Sequence, residues 1–165
     1  MKVAFYIAES GNFVDKIINL WTGFYGYSHC EIVFENFGPT EDYHKYLCCS
    51  AAPREGKVRF KEIDIYSKHW HVIDLDDDIN ENTAFDYVNK MIGAKYDWKG
   101  ILLYFIFMFI KKQDKNKWWC SEFVGNFLNE FYKPTKFRVS PNRLAKKLGL
   151  PRQPFKFMFL IKKNF

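Results

Sequence analysis

The sequence predicts a mixed α+β fold in a single domain. Five strand-like runs fall within the first 75 residues, and helical apolar patterns cluster between 80 and 149. No repeat, low-complexity tract or linker divides the chain. A length of 165 residues fits one domain around one core, so residues 1–165 are read as one unit.

The elements follow in order. Val3 to Ala8 reads as a short buried strand. Asn12 to Trp21 carries Phe13, Ile17, Ile18, Leu20 and Trp21 as a helical stripe, which Gly23 and Gly26 interrupt. Ser28 to Phe34 is strand-like. Its period of two places Ser28, Cys30, Ile32 and Phe34 on one face and His29, Glu31 and Val33 on the other. Tyr46 to Ala51 and Val58 to Ile63 form a pair around the turn Pro53-Arg54-Glu55-Gly56. Trp70 to Leu75 is a further strand.

Asp76-Asp77-Asp78 precedes a helix from about Asn80 to Ile92, closed by Gly93. Aspartates favour helix N-termini, so this triplet reads as capping and not as a metal site. Lys95 to Trp98 reads as a loop. The apolar run Ile101–Ile110 is far shorter than the roughly 20 residues that span a bilayer. It reads as a buried helix; the alternative is a wall of an acyl-binding cleft or a patch that leans on a membrane surface. Lys111 to Lys117 is a polar loop. A helix then runs from Cys120 to about Tyr132, with Phe123, Val124, Phe127, Leu128 and Phe131 on its core side. Ser140-Pro141 opens a short helix in the preferred N-cap and N1 order, Gly149 ends it, and Phe155 to Ile161 reads as a last strand.

Composition narrows the function classes. The 18 Phe, 10 Tyr and 5 Trp can fill a core and line a greasy cleft. The charge of +6, from 25 basic and 19 acidic residues, permits attraction to nucleic acid, anionic lipid or anionic cell-wall polymer and specifies none. The C-terminal Lys and Arg residues are scattered among apolar ones, which reads as a solvated face, and no nucleic-acid partner is expected. Cys30, Cys48, Cys49 and Cys120 form no CxxC pair and have no histidine cluster at zinc-ligand spacing, so neither metal nor cofactor is expected. Residues 1–8 are too short an apolar stretch, ended by Glu9, for a secretory signal. A reduced, cytoplasmic chain without a transmembrane span is the expectation.

One pairing points to chemistry. A cysteine at a helix start, such as Cys120, meets exposed N–H groups and the helix dipole, which favour the thiolate. A histidine reaching it from a strand, His29, would take the thiol proton and later return it to a leaving group. The ring needs a partner to fix its tautomer. Glu31, two residues along the same face, is one candidate, and Ser50 or a neighbour on the following strand is the other. The backbone N–H of Cys120 is a natural oxyanion donor, and Trp119 and Ser121 flank it as candidate lining of a substrate or oxyanion site. Glu122, in the first helical turn, would oppose ionisation of Cys120 by its charge. His44, in a polar loop, and His69 and His71, alternating along a strand, read as structural.

Three motifs, Tyr-Ser-His-Cys-Glu-Ile-Val-Phe at 27–34, Gly-Ala-Lys-Tyr-Asp-Trp at 93–98 and Trp-Cys-Ser-Glu-Phe-Val at 119–124, occur in that order. Together the chain resembles the circularly permuted NlpC/P60 papain-like superfamily, and most of all its YiiX/YaeF-type branch, which includes small bacterial and phage proteins. In unpermuted papain-like enzymes the cysteine comes first. The resemblance implies a papain-like α+β fold, with a central antiparallel sheet against which the cysteine helix packs. It implies Cys120 as nucleophile and His29 as base, and it matches Glu31 to an acidic position of the histidine strand. Tyr96 matches a recurrent tyrosine that helps line the site. Cys30 stands where a small aliphatic residue is commoner, a departure expected to matter little. The implied activity is hydrolysis of a peptide or lipid-linked amide or ester through an acyl-cysteine. The alternatives are acyl transfer or thioester hydrolysis of the lecithin:retinol acyltransferase type, or a non-catalytic basic binding protein on the same scaffold.

Overall fold

The computed structural model describes residues 1–11, 13–21, 25–38, 44–75, 78–101, 116–132 and 139–153. Seven strands form one sheet: β1 (Lys2–Ile7), β2 (Tyr27–Phe34), β3 (Tyr46–Ala52), β4 (Lys57–Ile63), β5 (Trp70–Asp74), β6 (Lys95–Tyr96) and β7 (Lys117–Trp118). Their spatial order is β5-β1-β2-β3-β4-β6-β7. Every pairing is antiparallel except that of β6 with β7. The helices are α1 (Phe13–Trp21), α2 (Glu81–Asn89), α3 (Cys120–Phe131) and α4 (Pro141–Lys147), and a 3-10 turn spans Ala8–Ser10.

Alternation along the strands sorts side chains to two faces, as the apolar pattern requires. One face presents Val3, Phe5, Cys30, Ile32, Phe34, Cys49 and Ala51 to the main core, where Phe123, Val124, Phe127 and Leu128 of α3 and Leu144 and Ala145 of α4 meet them. Each of these large apolar side chains is fully buried, which contributes about 1.5–3 kcal/mol relative to exposure. The other face carries a smaller cluster of Ala4, Val33, Cys48 and Ile65, flanked by Trp70 and Val72. Adjacent Cys48 and Cys49 thus point to opposite faces, as a strand demands.

A bulge interrupts β2 next to His29. Tyr6 pairs with His29 and Ile7 with Tyr27, so Ser28 is the extra residue. Such a bulge re-aims the side chains beside it. Ser28 itself is anchored, its Oγ donating to Asp15 Oδ1 of α1 at 2.9 Å.

Several expected elements take a different form. Residues 95–98 are not a plain loop. Lys95 and Tyr96 make β6, pairing with Lys57 on one side and with Lys117 and Trp118 on the other. Asp97 then caps a helical turn that starts at Trp98, its Oδ1 accepting from Gly100 N at 2.8 Å. The cap of α2 is Asn80, whose side chain accepts from Thr83 N at 3.0 Å, and not the acidic triplet; Asp76 and Asp77 lie outside the described residues. α2 ends at Asn89, and Gly93 closes the following turn at φ +85°, its N–H held by Val58 O at 3.0 Å. Ser140 caps α4 by accepting from Arg143 N at 3.3 Å, Pro141 stands at its start and Gly149 follows at φ +84°, as the sequence indicates. The last strand, Phe155–Ile161, and residues 102–110 of the apolar run lie outside the described residues. Among the described residues no helix is long and apolar enough to cross a membrane.

Candidate functional site

α3 begins at Cys120, with Trp119 at its N-cap in extended conformation and no side chain capping the turn. Its first N–H groups therefore have no acceptor within the helix. This end of α3 meets β2, which carries His29. His29 and Cys120 line the same cleft and lie near enough for each to shift the other's ionisation. His29 Nε2 is 2.8 Å from Glu31 Oε1, which leaves Nδ1 for the sulfur. An edge-on contact with Trp70, with ring centroids 6.5 Å apart, packs the imidazole from the side. Of the two orienting candidates, Glu31 is thus the one in contact. Ser50, fully buried on β3, directs its hydroxyl to Ala51 O at 3.5 Å.

Glu31 is fully buried and is gripped from behind by Arg59 of β4. The guanidinium makes two bonds, Nη1 to Oε2 at 2.8 Å and Nη2 to Oε1 at 2.6 Å. The register explains the meeting. Ile32 pairs with Cys49 and Ser50 with Arg59, so Glu31, Ser50 and Arg59 occupy adjacent positions across three strands on one face.

The electrostatics follow from this contact chain. Burial works to lower the His29 pKa, but the charges of Cys120 and Glu31 and their hydrogen bonds outweigh it and hold the ring up at about 10, against an ordinary 6.5. Cys120 is pushed well below its ordinary value, first by a hydrogen bond from the Cys30 thiol, against burial, then by the His29 charge and hydrogen bond and the Ser121 N–H. Burial would raise Glu31, yet His29 and Arg59 hold it below the usual carboxylate range. The resting state these shifts favour is thiolate, imidazolium and carboxylate.

Cys30, expected to matter little, is the first cause that lowers the Cys120 pKa, acting from the core face of β2. Glu122, expected to oppose the thiolate, is fully buried in the first turn of α3. Cys30, His29 and the Ser121 N–H lower the Cys120 pKa.

A cleft of about 540 Å³ opens over Cys120 and His29. Tyr6, Trp70, Tyr96 and Trp98 give it aromatic walls, and Arg54, Glu55, Lys61 and Asp64 mark its rim. A cavity of about 20 Å³ adjoins Cys120, lined by Ser28, Tyr96, Trp119 and Ser121 among others. That is room for one water-sized group. The three candidate lining residues therefore all border Cys120, but in different roles. Burial, and then the charge of Cys120, push the Tyr96 phenol well above its usual range, so it stays a donor. Ser121 commits its hydroxyl proton to Val139 O at 2.6 Å, tying α3 to the segment before α4, and offers the site its backbone N–H. Trp119 is almost fully buried at the N-cap.

His44, His69 and His71 do not line the cleft. His71 Nδ1 meets Tyr27 Oη at 2.8 Å, and His69 stands in the turn before β5 rather than on the strand. Among the described residues no cluster of His, Cys, Asp or Glu could hold a metal ion. Sequence reading missed Arg59, which in Lys57-Val58-Arg59-Phe60-Lys61 looks like one more charge on a solvated face.

These shifts give stability a distinctive pH profile. The raised His29 pKa contributes stability that is complete below 6.5 and lost as pH rises through about 10. The depressed Cys120 pKa contributes stability present above 9.0 and lost as pH falls through its folded value. Between 6.5 and 9.0 the two trends oppose and cancel, because folding there only moves a proton from sulfur to nitrogen.

No family model matches the chain, and no curated protein and no solved structure matches it either, so the functional reading rests on this geometry and on the sequence motifs.

Proposed function

We propose that the protein is a cysteine-dependent hydrolase of amide or ester bonds in peptide or lipid-linked substrates, built on a papain-like fold of the permuted NlpC/P60 type. The observation that carries this reading is His29, held by Glu31 at 2.8 Å and coupled in ionisation to Cys120 at the N-terminus of α3, with all three residues lining one aromatic cleft. The Cys120 thiolate attacks the substrate carbonyl carbon and forms a C–S bond. The carbonyl oxygen takes up the negative charge near the Cys120 N–H, beside the small cavity next to α3. His29 gives its Nδ1 proton to the leaving amine or alkoxide as the C–N or C–O bond breaks. The neutral ring then deprotonates a water molecule, which attacks the acyl-cysteine and releases the acid and the thiolate. Glu31 stays ionised throughout and keeps the ring turned toward the sulfur.

An activated ester tests this reading. With p-nitrophenyl acetate, a stoichiometric burst of nitrophenol and a one-acetyl mass gain mapping to Cys120 are expected, followed by slower turnover. In Cys120→Ala both disappear. A parent protein that shows neither burst nor adduct, or an adduct on another residue, would sink the proposal.

A further inference from the structure

We propose that Arg59 is a positioning residue that allows Cys120, His29 and Glu31 to be charged together, by completing a neutral quartet of buried charges. The proposal rests on the reading of Cys120 and His29 as a thiolate–imidazolium pair.

The geometry is that of a chain closed at its far end. The Glu31 carboxylate has no exposed surface, and both of its oxygens are taken by the Arg59 fork, at 2.8 and 2.6 Å. Oε1 is shared with His29 Nε2 at 2.8 Å. The fork thereby fixes the plane of the carboxylate, and the carboxylate fixes the ring. The side chains of His29 and Arg59 are themselves only 16% and 12% exposed. Uncompensated charge in such surroundings is strongly disfavoured. Thiolate and carboxylate are two negative charges; imidazolium and guanidinium are two positive ones. Without Arg59 the set carries a net negative charge. The nearest neutral state then places a proton on Cys120 or on Glu31, which ends either the nucleophile or the orienter.

The groups around the quartet do not replace this balance. Glu55, on the exposed β3–β4 turn, has its Oε1 3.7 Å from Arg59 Nε, but the same oxygen is 3.4 Å from Lys61 Nζ of β4, so the Glu55–Lys61 pair cancels in solvent. The thiols of Cys30, Cys48 and Cys49 and the Tyr96 phenol are held protonated by burial. Asp15 faces the cleft through its bond to Ser28. Lysine would supply the charge without the fork, because an ammonium is a single point donor.

The test needs no natural substrate. Alkylation of Cys120 by iodoacetamide is followed by mass spectrometry of its peptide from pH 5 to 9 in the full chain. In the parent, reactivity is expected to be present already at acidic pH. In Arg59→Met its onset should move upward by about one pH unit or more, with a tenfold or greater loss of rate at pH 6. Arg59→Lys should fall between the two. The decisive protein is the double variant Glu31→Gln/Arg59→Met, which removes one charge of each sign. It should recover much of the rate that Arg59→Met alone loses, which a merely structural arginine does not predict. An Arg59→Met profile equal to the parent's, or a double variant as slow as the single, overturns the proposal while leaving the ion pair intact. A parent that titrates like an ordinary thiol removes the ion pair and this proposal with it. Should Arg59→Met fail to fold, Arg59→Lys takes its place, and an Arg59→Lys profile equal to the parent's overturns the proposal.

Discussion

The His29→Ala variant is expected to alkylate Cys120 on the order of 100-fold more slowly than the parent at pH 6. The reasoning is one of ionisation. An unassisted thiol, with a pKa near 8.5, is well under about 1% thiolate at that pH. Cys120 beside the His29 imidazolium is held well below its ordinary value. Nucleophilicity falls somewhat with pKa, which returns part of the difference and sets the figure at about 100 rather than several hundred. The shape of the profile is a sharper diagnostic than its height. Parent reactivity should be nearly flat across neutral pH, whereas the variant should climb steadily toward the thiol range, since only Cys30 and the Ser121 N–H then oppose burial of Cys120. A variant that tracks the parent at every pH would mean that His29 does not ionise Cys120, and the hydrolase reading would fail with it.

The second large effect is on stability. Glu31→Ala is expected to destabilise the fold by about 3–5 kcal/mol in urea unfolding at pH 7. The lost contacts are not the main reason. Their removal strands the Arg59 guanidinium and the His29 ring in a buried place that was shaped around a carboxylate. Domains of this size are stable by about 5–15 kcal/mol, so the loss is a large share of the whole. The cause can be separated from simple cavity formation. Replacing both partners, as in Glu31→Leu/Arg59→Met, removes the stranded charge with the pair and should be much milder than the single change. A loss below about 1 kcal/mol in Glu31→Ala would show that water already reaches the pair and screens it.

Much of this site was legible in the sequence, for identifiable reasons. Ser28–Phe34 alternates, and alternation alone places His29 and Glu31 on one face. The amphipathic stripe of 120–131 places Cys120 at a helix start. What stayed hidden depended on distance along the chain. Whether residues two apart on a strand touch is decided by local twist, and the bulge at Ser28 that supplies it leaves no mark in composition. Arg59 required two registers at once, β2 with β3 and β3 with β4, before it could be seen behind Glu31. Cys30 sits on the face opposite His29, and only the docking of α3 brings its thiol to the same sulfur. β6 leaves no signal in the sequence because two residues are too few to show a period, and its partner Trp118 lies more than 20 residues away.

The place of β2 in the sheet has a consequence for motion. β2 lies third of seven strands, with β1 and β3 bonded to its two edges and α3 packed on its core face. Fraying begins at edges and termini, where few bonds must break, and reaches central strands last. His29, Glu31 and Cys30 all ride on this strand, and the helix that begins at Cys120 is docked to it. Loosening of β5, β6 or β7 at the margins can therefore reshape the cleft walls formed by Trp70 and Tyr96 while the distance between sulfur and imidazole is kept. Breathing of the molecule is thereby partitioned: the cleft walls belong to the soft periphery, and the Cys120–His29 centre opens only when the whole sheet does.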